Sequence, residues 1–378
     1  MKVAIVGGKL QGTEAVYLAK AAGIENVLID YNPMVPASGI ADDFVCGDVV
    51  ARDEAAIAAM KDADFVLPAN ENDGVLEAIV EICREENLRL AFDPAAYAIT
   101  KSKAKSDALM HENGIPSPRY YPEGEAPYVI KPSGESGSAG VRRVETREEV
   151  EDFLASCDNP ENWIIQEYLE GPSYSIEVIG LPGNYRTYTI TQIHMDEVYD
   201  CCKVTAPCLG GTAAEKRFAE IAVKLAELVN LHGIMDVEVI DDGKDLKVLE
   251  IDARLPSQTP IAVLESSGMN FVQELADVTV YGGFQSAIDD EKINLGKYAV
   301  YEHYLRTEAG ELRQEGEHMM AAARPLSLRE NFAGCKNFVS DYEEGRADFA
   351  SICINSATTE EELEDARRAV LADLKLLP

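Results

Sequence analysis

Residues 236–238 read Asp236-Val237-Glu238, and residues 249–254 read Leu249-Glu250-Ile251-Asp252-Ala253-Arg254. Both stretches alternate acidic and apolar residues, and on a strand residues two apart share one face. Asp236 then stands beside Glu238, and Glu250 beside Asp252, so two neighbouring strands would bring carboxylate pairs together. Packed carboxylates repel one another unless a hard cation lies between them. Mg²⁺ suits such a place, because it takes few protein oxygens and keeps phosphate oxygens and waters. Arg254, further along the same face, carries a planar fork that clamps a transferring phosphoryl group or a carboxylate. Each pair taken alone also describes a solvated strand edge, so the argument turns on what precedes them.

Upstream, Tyr128-Val129-Ile130-Lys131-Pro132 reads as a strand that delivers a lysine to its end. A Gly/Ser loop follows, Ser133-Gly134-Glu135-Ser136-Gly137-Ser138-Ala139-Gly140. Its amides and hydroxyls can fold over a polyphosphate while Lys131 supplies point charge. It is not a Walker A loop, because no Gly-Lys-Ser/Thr closes it. Nearer the start, Val3–Val6 runs into Gly7-Gly8-Lys9-Leu10-Gln11-Gly12 and then a helix over Thr13–Ala22. Asp30 ends the next strand, Val27–Asp30, about where a dinucleotide fold places its ribose carboxylate. The glycine spacing departs from G-x-G-x-x-G, and a tight strand–helix turn explains it equally well.

The pattern divides the chain into three parts. Residues 1–95 alternate strands (Val3–Val6, Val27–Asp30, Asp64–Pro68, Leu90–Phe92) with helices, which predicts a small parallel sheet covered on both faces. Residues 96–295 begin with a helix over Lys101–Asn113, stopped by Gly114-Ile115-Pro116, and continue largely as strands, an α+β order. Within them the glycine loop belongs to a subdomain of about residues 115–165. Residues 296–378 are α+β, closed by a helix over Thr359–Leu376, and are expected to complete the catalytic domain.

Lys103, Lys131, the glycine loop, Glu238, Glu250 and Asp252 follow one another in an order that resembles the ATP-grasp carboxylate–amine ligases. Trp163-Ile164-Ile165-Gln166-Glu167-Tyr168-Leu169-Glu170-Gly171 is similar to the adenine-binding hinge of that superfamily. The likeness covers residues 1 to about 295. Two departures stand out. The metal strand of the superfamily often ends in Glu-x-Asn, whereas this chain has Glu250-Ile251-Asp252; the hinge is often followed by Gly-x-Glu, whereas Gly171 is followed here by Pro172-Ser173-Tyr174. A narrower likeness lies in residues 6–12, Leu67-Pro68-Ala69-Asn70-Glu71-Asn72, residues 233–238 and residues 250–260. These resemble the ligases of pyrrolysine biosynthesis, which join 3-methyl-D-ornithine to L-lysine.

The resemblance implies an ATP-grasp fold with a Rossmann-like first domain and a C–N bond-forming ligase that uses ATP and Mg²⁺. The carboxylate of 3-methyl-D-ornithine would be activated as an acyl phosphate and captured by the ε-amine of L-lysine. It implies Glu238, Glu250 and Asp252 as metal ligands. On the nucleotide side it implies Lys9, Asp30, Asp48, Val49, Lys103, Lys131, Ser136, Gly137, Ser138, Gln166, Glu167, Tyr168 and Leu169. For the substrates it implies Leu10, Gln11 and Glu71 on the lysine side, and Asp200, Thr205, Ser257, Gln258 and Thr259 on the ornithine side. Arg254, Lys131 and Glu71 are the catalytic candidates, Glu71 as acceptor of the amine proton, since a free lysine amine has a pKa of about 10.4. Alternatives are a ligase for another pair of substrates, a nicotinamide-dependent dehydrogenase built on the first domain, and a non-catalytic nucleotide-binding regulator. The second leaves Lys131, the loop and the carboxylate pairs unexplained.

The 378 residues hold 67 Asp+Glu against 34 Lys+Arg, so 34 − 67 = −33. A field of that sign argues against nucleic acid and anionic membrane surfaces as partners, and the chain is expected to be cytoplasmic. A homodimer is left open. Eight scattered cysteines read as free thiols. His194 and His303 read as packed or hydrogen-bonded histidines. Acidic runs such as Glu311–Glu317 read as solvated surface.

Overall fold

The computed structural model describes residues 1–133, 140–285 and 296–377. The first part comprises β1 (Lys2–Val6), α1 (Leu10–Ala21), β2 (Glu25–Asp30), β3 (Asp43–Cys46), α2 (Glu54–Asp62), β4 (Phe65–Pro68) and α3 (Asp73–Glu85). Its strands form one parallel sheet in the order β3-β2-β1-β4. The expected strand Leu90–Phe92 is only an isolated bridge from Leu90 to Val66.

The expected helix over Lys101–Asn113 is α5 (Lys103–Glu112), and a short helix, α4 (Pro94–Thr100), precedes it. The start of α5 has a local cause. Ser102 is extended, at φ −95° and ψ 101°, and its hydroxyl accepts from the Lys105 amide, so it caps a new helix. Lys103 is thereby fixed as the first residue of α5. A three-stranded sheet of order β6-β5-β7 follows, built from β5 (Tyr128–Pro132), β6 (Arg142–Val144) and β7 (Trp163–Glu167) and backed by α6 (Arg147–Ser156).

The largest sheet is antiparallel. It contains β8 (Ser173–Leu181), β9 (Asn184–Thr187), β10 (Thr191–Met195) and β11 (Cys201–Ala206), then, after α7 (Ala213–Leu228), β12 (Gly233–Asp241) and β13 (Leu246–Asp252). After α8 (Thr259–Ser267) and α9 (Phe271–Tyr281) it resumes with β14 (Tyr298–Arg306), β15 (Leu312–Gln314), β16 (Ser327–Phe332), β17 (Cys335–Ser340) and β18 (Phe349–Ala357), and α10 (Glu360–Leu376) closes the chain. β11 pairs with β14, so strands from the last part extend the sheet that carries the acidic strands. The expected strand Tyr188–Ile193 is displaced into β9 and β10, on either side of Tyr188.

The first domain is locked to the main sheet by buried polar contacts as well as apolar packing. α1 is buried nearly all round, and its Glu14 lies at the N-terminus of α8, where the Ile261 amide donates to Oε2 at 3.3 Å. The Tyr17 hydroxyl donates to Glu265 at 3.2 Å, and the Asn270 side chain donates to Leu18 O at 2.8 Å. One apolar cluster accordingly runs from Val3 and Leu28 through α8 and α9 to Tyr301 and Ile354.

Candidate active site

The strand register places Asp236 opposite Asp252 and Glu238 opposite Glu250, as the alternation predicts. It also places Glu177 of β8 opposite Asp236 and Ser175 opposite Glu238. Four acidic positions thus face one another across β12 and β13, with a fifth carboxylate behind them. Burial, repulsion from Glu250 and the nearness of Glu317 and Asp252 push Glu238 up to about 7, despite Arg254. Asp252 is pushed up to about 6, mainly by burial, against the pull of Arg254. Asp236 is raised well above the ordinary range, again by burial first. Asp236 Oδ1 and Asp252 Oδ1 are buried and accept no hydrogen bond among the described residues. An all-oxygen donor set of this kind, short of positive charge and with acceptor positions unfilled, fits a hard divalent cation such as Mg²⁺.

Three cations are set against these acids. Lys103 Nζ donates to Glu250 Oε1 at 3.1 Å. Lys131 is buried; desolvation lowers its pKa, against the pull of Asp107 and Glu250. Arg254 holds two carboxylates at once, Asp252 through Nε at 2.8 Å and Glu71 through a terminal nitrogen at 2.6 Å. Burial works against its charge, but Asp252, Glu71 and Asp236 more than compensate and keep it cationic.

Two cavities flank this cluster, and among the described residues they share no lining side chain. One, of roughly 530 Å³, lies between the small sheet and the large one and is lined by Lys103, Lys131, Gln166–Gly171, His194, Glu238 and Glu250. The hinge offers its backbone and not its acid. The Glu167 carboxylate is held by Arg119, from the amide at 2.9 Å and from Nε at 3.0 Å, and the Tyr168 amide already donates to Pro127 O. The second cavity, of roughly 540 Å³, lies against the first domain and is lined by Lys9, Leu10, Gln11, Asp30, Asp48, Val49, Glu71, Ser257 and Glu317. Gln11 donates to Glu71 Oε1 at 3.0 Å.

Several of the expected site residues are not brought together with Lys103 and Lys131. Lys9, Asp30, Asp48 and Val49 do not border the cavity of Lys103 and Lys131, so they form no wall for a nucleotide bound there. Two of them have local duties: Asp30 accepts from the Gly8 and Asn32 amides, and Asp48 from those of Val50 and Ala51. Asp200 does not face either cavity; it accepts from the amide and ring of His318. Thr205 is turned to His194, 3.2 Å from Nε2, and lines neither space. Glu317 is not solvated surface, as its acidic run suggested, but a partly buried carboxylate accepting from Ser257 Oγ at 2.9 Å and Gln258 Nε2 at 3.1 Å. Ser136, Gly137 and Ser138 lie outside the described residues. His303 is fully buried against Tyr301, and desolvation lowers it to about 3.

Sequence reasoning missed Glu177, Asp107 and Glu317. Glu177 was within reach, because Ser175 and Glu177 repeat the same two-residue alternation on β8. Asp107 and Glu317 sit on a helix and a short 3₁₀ turn (Glu317–Ala322) whose local pattern marks nothing.

A parallel first domain, a small sheet closing over a lysine-lined cleft, and paired acidic strands in a large antiparallel sheet define the ATP-grasp class. Residues 100–258 match the family described as ATP-grasp domain. The fold is similar to biotin carboxylase from Campylobacter jejuni, with a TM-score of 0.73 at 16% identity, covering 98% of this chain and 91% of that one. It is also similar to an L-amino acid ligase from Bacillus licheniformis, with a TM-score of 0.67 at 15% identity over 98% and 97% of the two chains. In sequence the chain is 38% identical over 320 residues to the 3-methyl-D-ornithine–L-lysine ligase of Methanosarcina mazei, 84% of this chain and 82% of that one. The Methanosarcina barkeri ligase of the same name is likewise 38% identical, covering 84% of each. The chain belongs to this family of 3-methyl-D-ornithine–L-lysine ligases, a C–N bond-forming branch of the ATP-grasp enzymes.

Proposed function

We propose that the chain joins the carboxylate of 3-methyl-D-ornithine to the ε-amine of L-lysine, at the expense of ATP, in pyrrolysine biosynthesis. The observation that carries the reading is Arg254, which pairs with Asp252 of the acidic strands and with Glu71 of the first-domain cavity. ATP takes the cleft of Lys103 and Lys131, its base against the hinge backbone at Glu167–Leu169. Glu238, Glu250 and Asp252 would hold Mg²⁺. When bound, the ion neutralises phosphate oxygens and adds to the charge stabilisation of phosphoryl transfer.

Lys131 and Lys103 face the charge that spreads over the transferring group, and a buried lysine is worth more there than one in water. Arg254 is the group able to orient the donor carboxylate for attack on phosphorus and then to stabilise the acyl phosphate and its tetrahedral successor. Ser257–Thr259 follow it closely in the chain, and Ser257 lines the same cavity as Gln11 and Glu71, so donor and acceptor meet there. Gln11 and Glu71 bound the cavity from which the amine arrives. No described helix is long and apolar enough to cross a membrane, and all reactants are small molecules.

The test is phosphate release with ATP, Mg²⁺ and L-lysine, with and without 3-methyl-D-ornithine, with products read by mass. A new amide and stoichiometric phosphate only when both amino acids are present is the expected result. ATP binding without turnover on any pair of diamino acids overturns the reading.

A further inference from the structure

Glu317 is a partly buried carboxylate without a positive partner. No lysine, arginine or histidine nitrogen lies within 4 Å of it among the described residues, in contrast to Glu71, which is ion-paired to Arg254 at 2.6 Å. Ser257 and Gln258 both donate to Oε2, and Oε1 accepts from no described residue. The side chain lines the first-domain cavity.

Its position is fixed from both sides. The preceding Gly316 amide donates to Asp196 at 3.1 Å, and the following His318 amide donates to Asp200 at 3.0 Å. A Cβ at position 316 would collide with the Asp200 carboxyl, so only glycine lets the turn approach that closely. Gln258, one of the two donors, has a left-handed backbone at φ +71°. For a residue other than glycine this is a strained conformation, held in place by its surroundings. Three segments therefore combine to present one uncompensated oxygen to a cavity. Removing a carboxylate from water without a cation is expensive, so the arrangement is completed by a ligand that brings positive charge.

We infer that Glu317 is the receptor for the ε-ammonium of L-lysine, and so the residue that makes a cationic side-chain amine the preferred acceptor. The inference rests on the proposed ligase reaction and adds a residue to it. The ε-amine and not the α-amine is assigned here because the Glu317 carboxylate has an oxygen to spare, whereas Glu71, in the same cavity, is already paired with Arg254 and accepts from Gln11. Glu71 and Gln11 are left for the α-substituents. Once held, the ammonium gives one proton to Glu317 and becomes a neutral amine. Its nitrogen bonds to the acyl carbon, the C–O bond to phosphate breaks, the departing phosphate takes the second proton, and Glu317 returns its own to solvent through the cavity. Burial raises the Glu317 carboxyl above its usual range, while Ser257 and Gln258 oppose the rise. The other ionisable groups around it are Arg254 after β13, Asp200 and Cys201 at β11, Glu14 on α1, Tyr301 on β14, Glu238 on β12 and the adjacent His318.

The experiment compares wild type with Glu317→Gln and Glu317→Ala, measuring KM for each substrate, melting temperature, and hydroxylamine trapping of the acyl phosphate as a hydroxamate. Hydroxylamine is a small neutral nucleophile that needs no ammonium receptor. The expected result is a rise of about tenfold or more in KM for L-lysine. Much smaller changes are expected in KM for ATP and 3-methyl-D-ornithine, and hydroxamate still forms. An unchanged KM for L-lysine overturns the inference, as does a loss confined to 3-methyl-D-ornithine or a parallel loss of hydroxamate formation in both folded variants. If wild type itself makes no amide from the two amino acids, it is the ligase reading that fails, and the hydroxamate assay shows whether activation survives.

Discussion

Buried acids are treated in opposite ways at the two ends of the large sheet. Around β14–β18 each is matched. Glu302, 1% exposed, is gripped by Arg367 at 2.6 and 3.0 Å; Asp341 meets Arg324 at 3.0 Å; Glu265 meets Lys336. Around β8, β12 and β13, Glu177, Asp236, Glu238 and Asp252 are stacked in register with Arg254 as the shared counter-charge. The first arrangement is complete as folded. The second stays short of positive charge until ligands bring it, and that shortage is what distinguishes a site from a structural ion pair.

The contrast breaks most sharply under single substitutions. Glu250→Gln should lower turnover by about a thousandfold or more, as loss of a principal charge-stabilising group does, without lowering the melting temperature of the ligand-free protein. A Lys131→Ala variant that turns over normally would equally defeat the assignment. Glu302→Gln should do the reverse. Leaving Arg367 without its partner is expected to lower stability by about 3–5 kcal/mol in denaturant titration, with turnover per folded molecule unchanged.

Acidity offers a graded test. Burial raises Glu14 to about 8 and Glu177 to about 7. A carboxyl raised in the folded state binds its proton more tightly there than when unfolded, so its stabilising effect is full below about pH 4.5 and is lost as pH rises through 7–8. The ligand-free protein should therefore melt several degrees lower at pH 8 than at pH 5, and Glu14→Gln should flatten that slope. A profile rising over this window would show that these acids are ionised in the fold. The smallest expected effect is that of Gln11→Ala, whose one hydrogen bond to Glu71 is worth about 1 kcal/mol, a change of roughly fivefold in KM for L-lysine.

Much of this site is legible in the residues because strand alternation is a local code. Asp236, Glu238, Glu250 and Asp252 announce their shared face in the sequence, and a turn of glycines marks the edge of the first domain. What stays hidden depends on contacts far apart in the chain. Nothing near Glu317 says that Ser257 and Gln258 will reach it, or that Asp200, read as a substrate ligand, will clasp His318 instead. Likewise, Lys9 and Asp30 carry the pattern of a phosphate turn, but only the packing of the first domain against α8 shows that they open into a different space from Lys131. The start of α5, two residues beyond where the helical pattern begins, is marked by Ser102 as a capping residue.

Arg254 has a further consequence. Its single charge is already shared between two resident carboxylates. An incoming donor carboxylate competes with them for that charge, and where it displaces one its apparent affinity is the difference between two binding events, not the strength of one. The exchange with Glu71 also releases that acid toward the acceptor cavity. Arrival of the first amino acid is thereby converted into an added negative charge offered to the second, a thermodynamic coupling between the two substrates that requires no movement of the backbone.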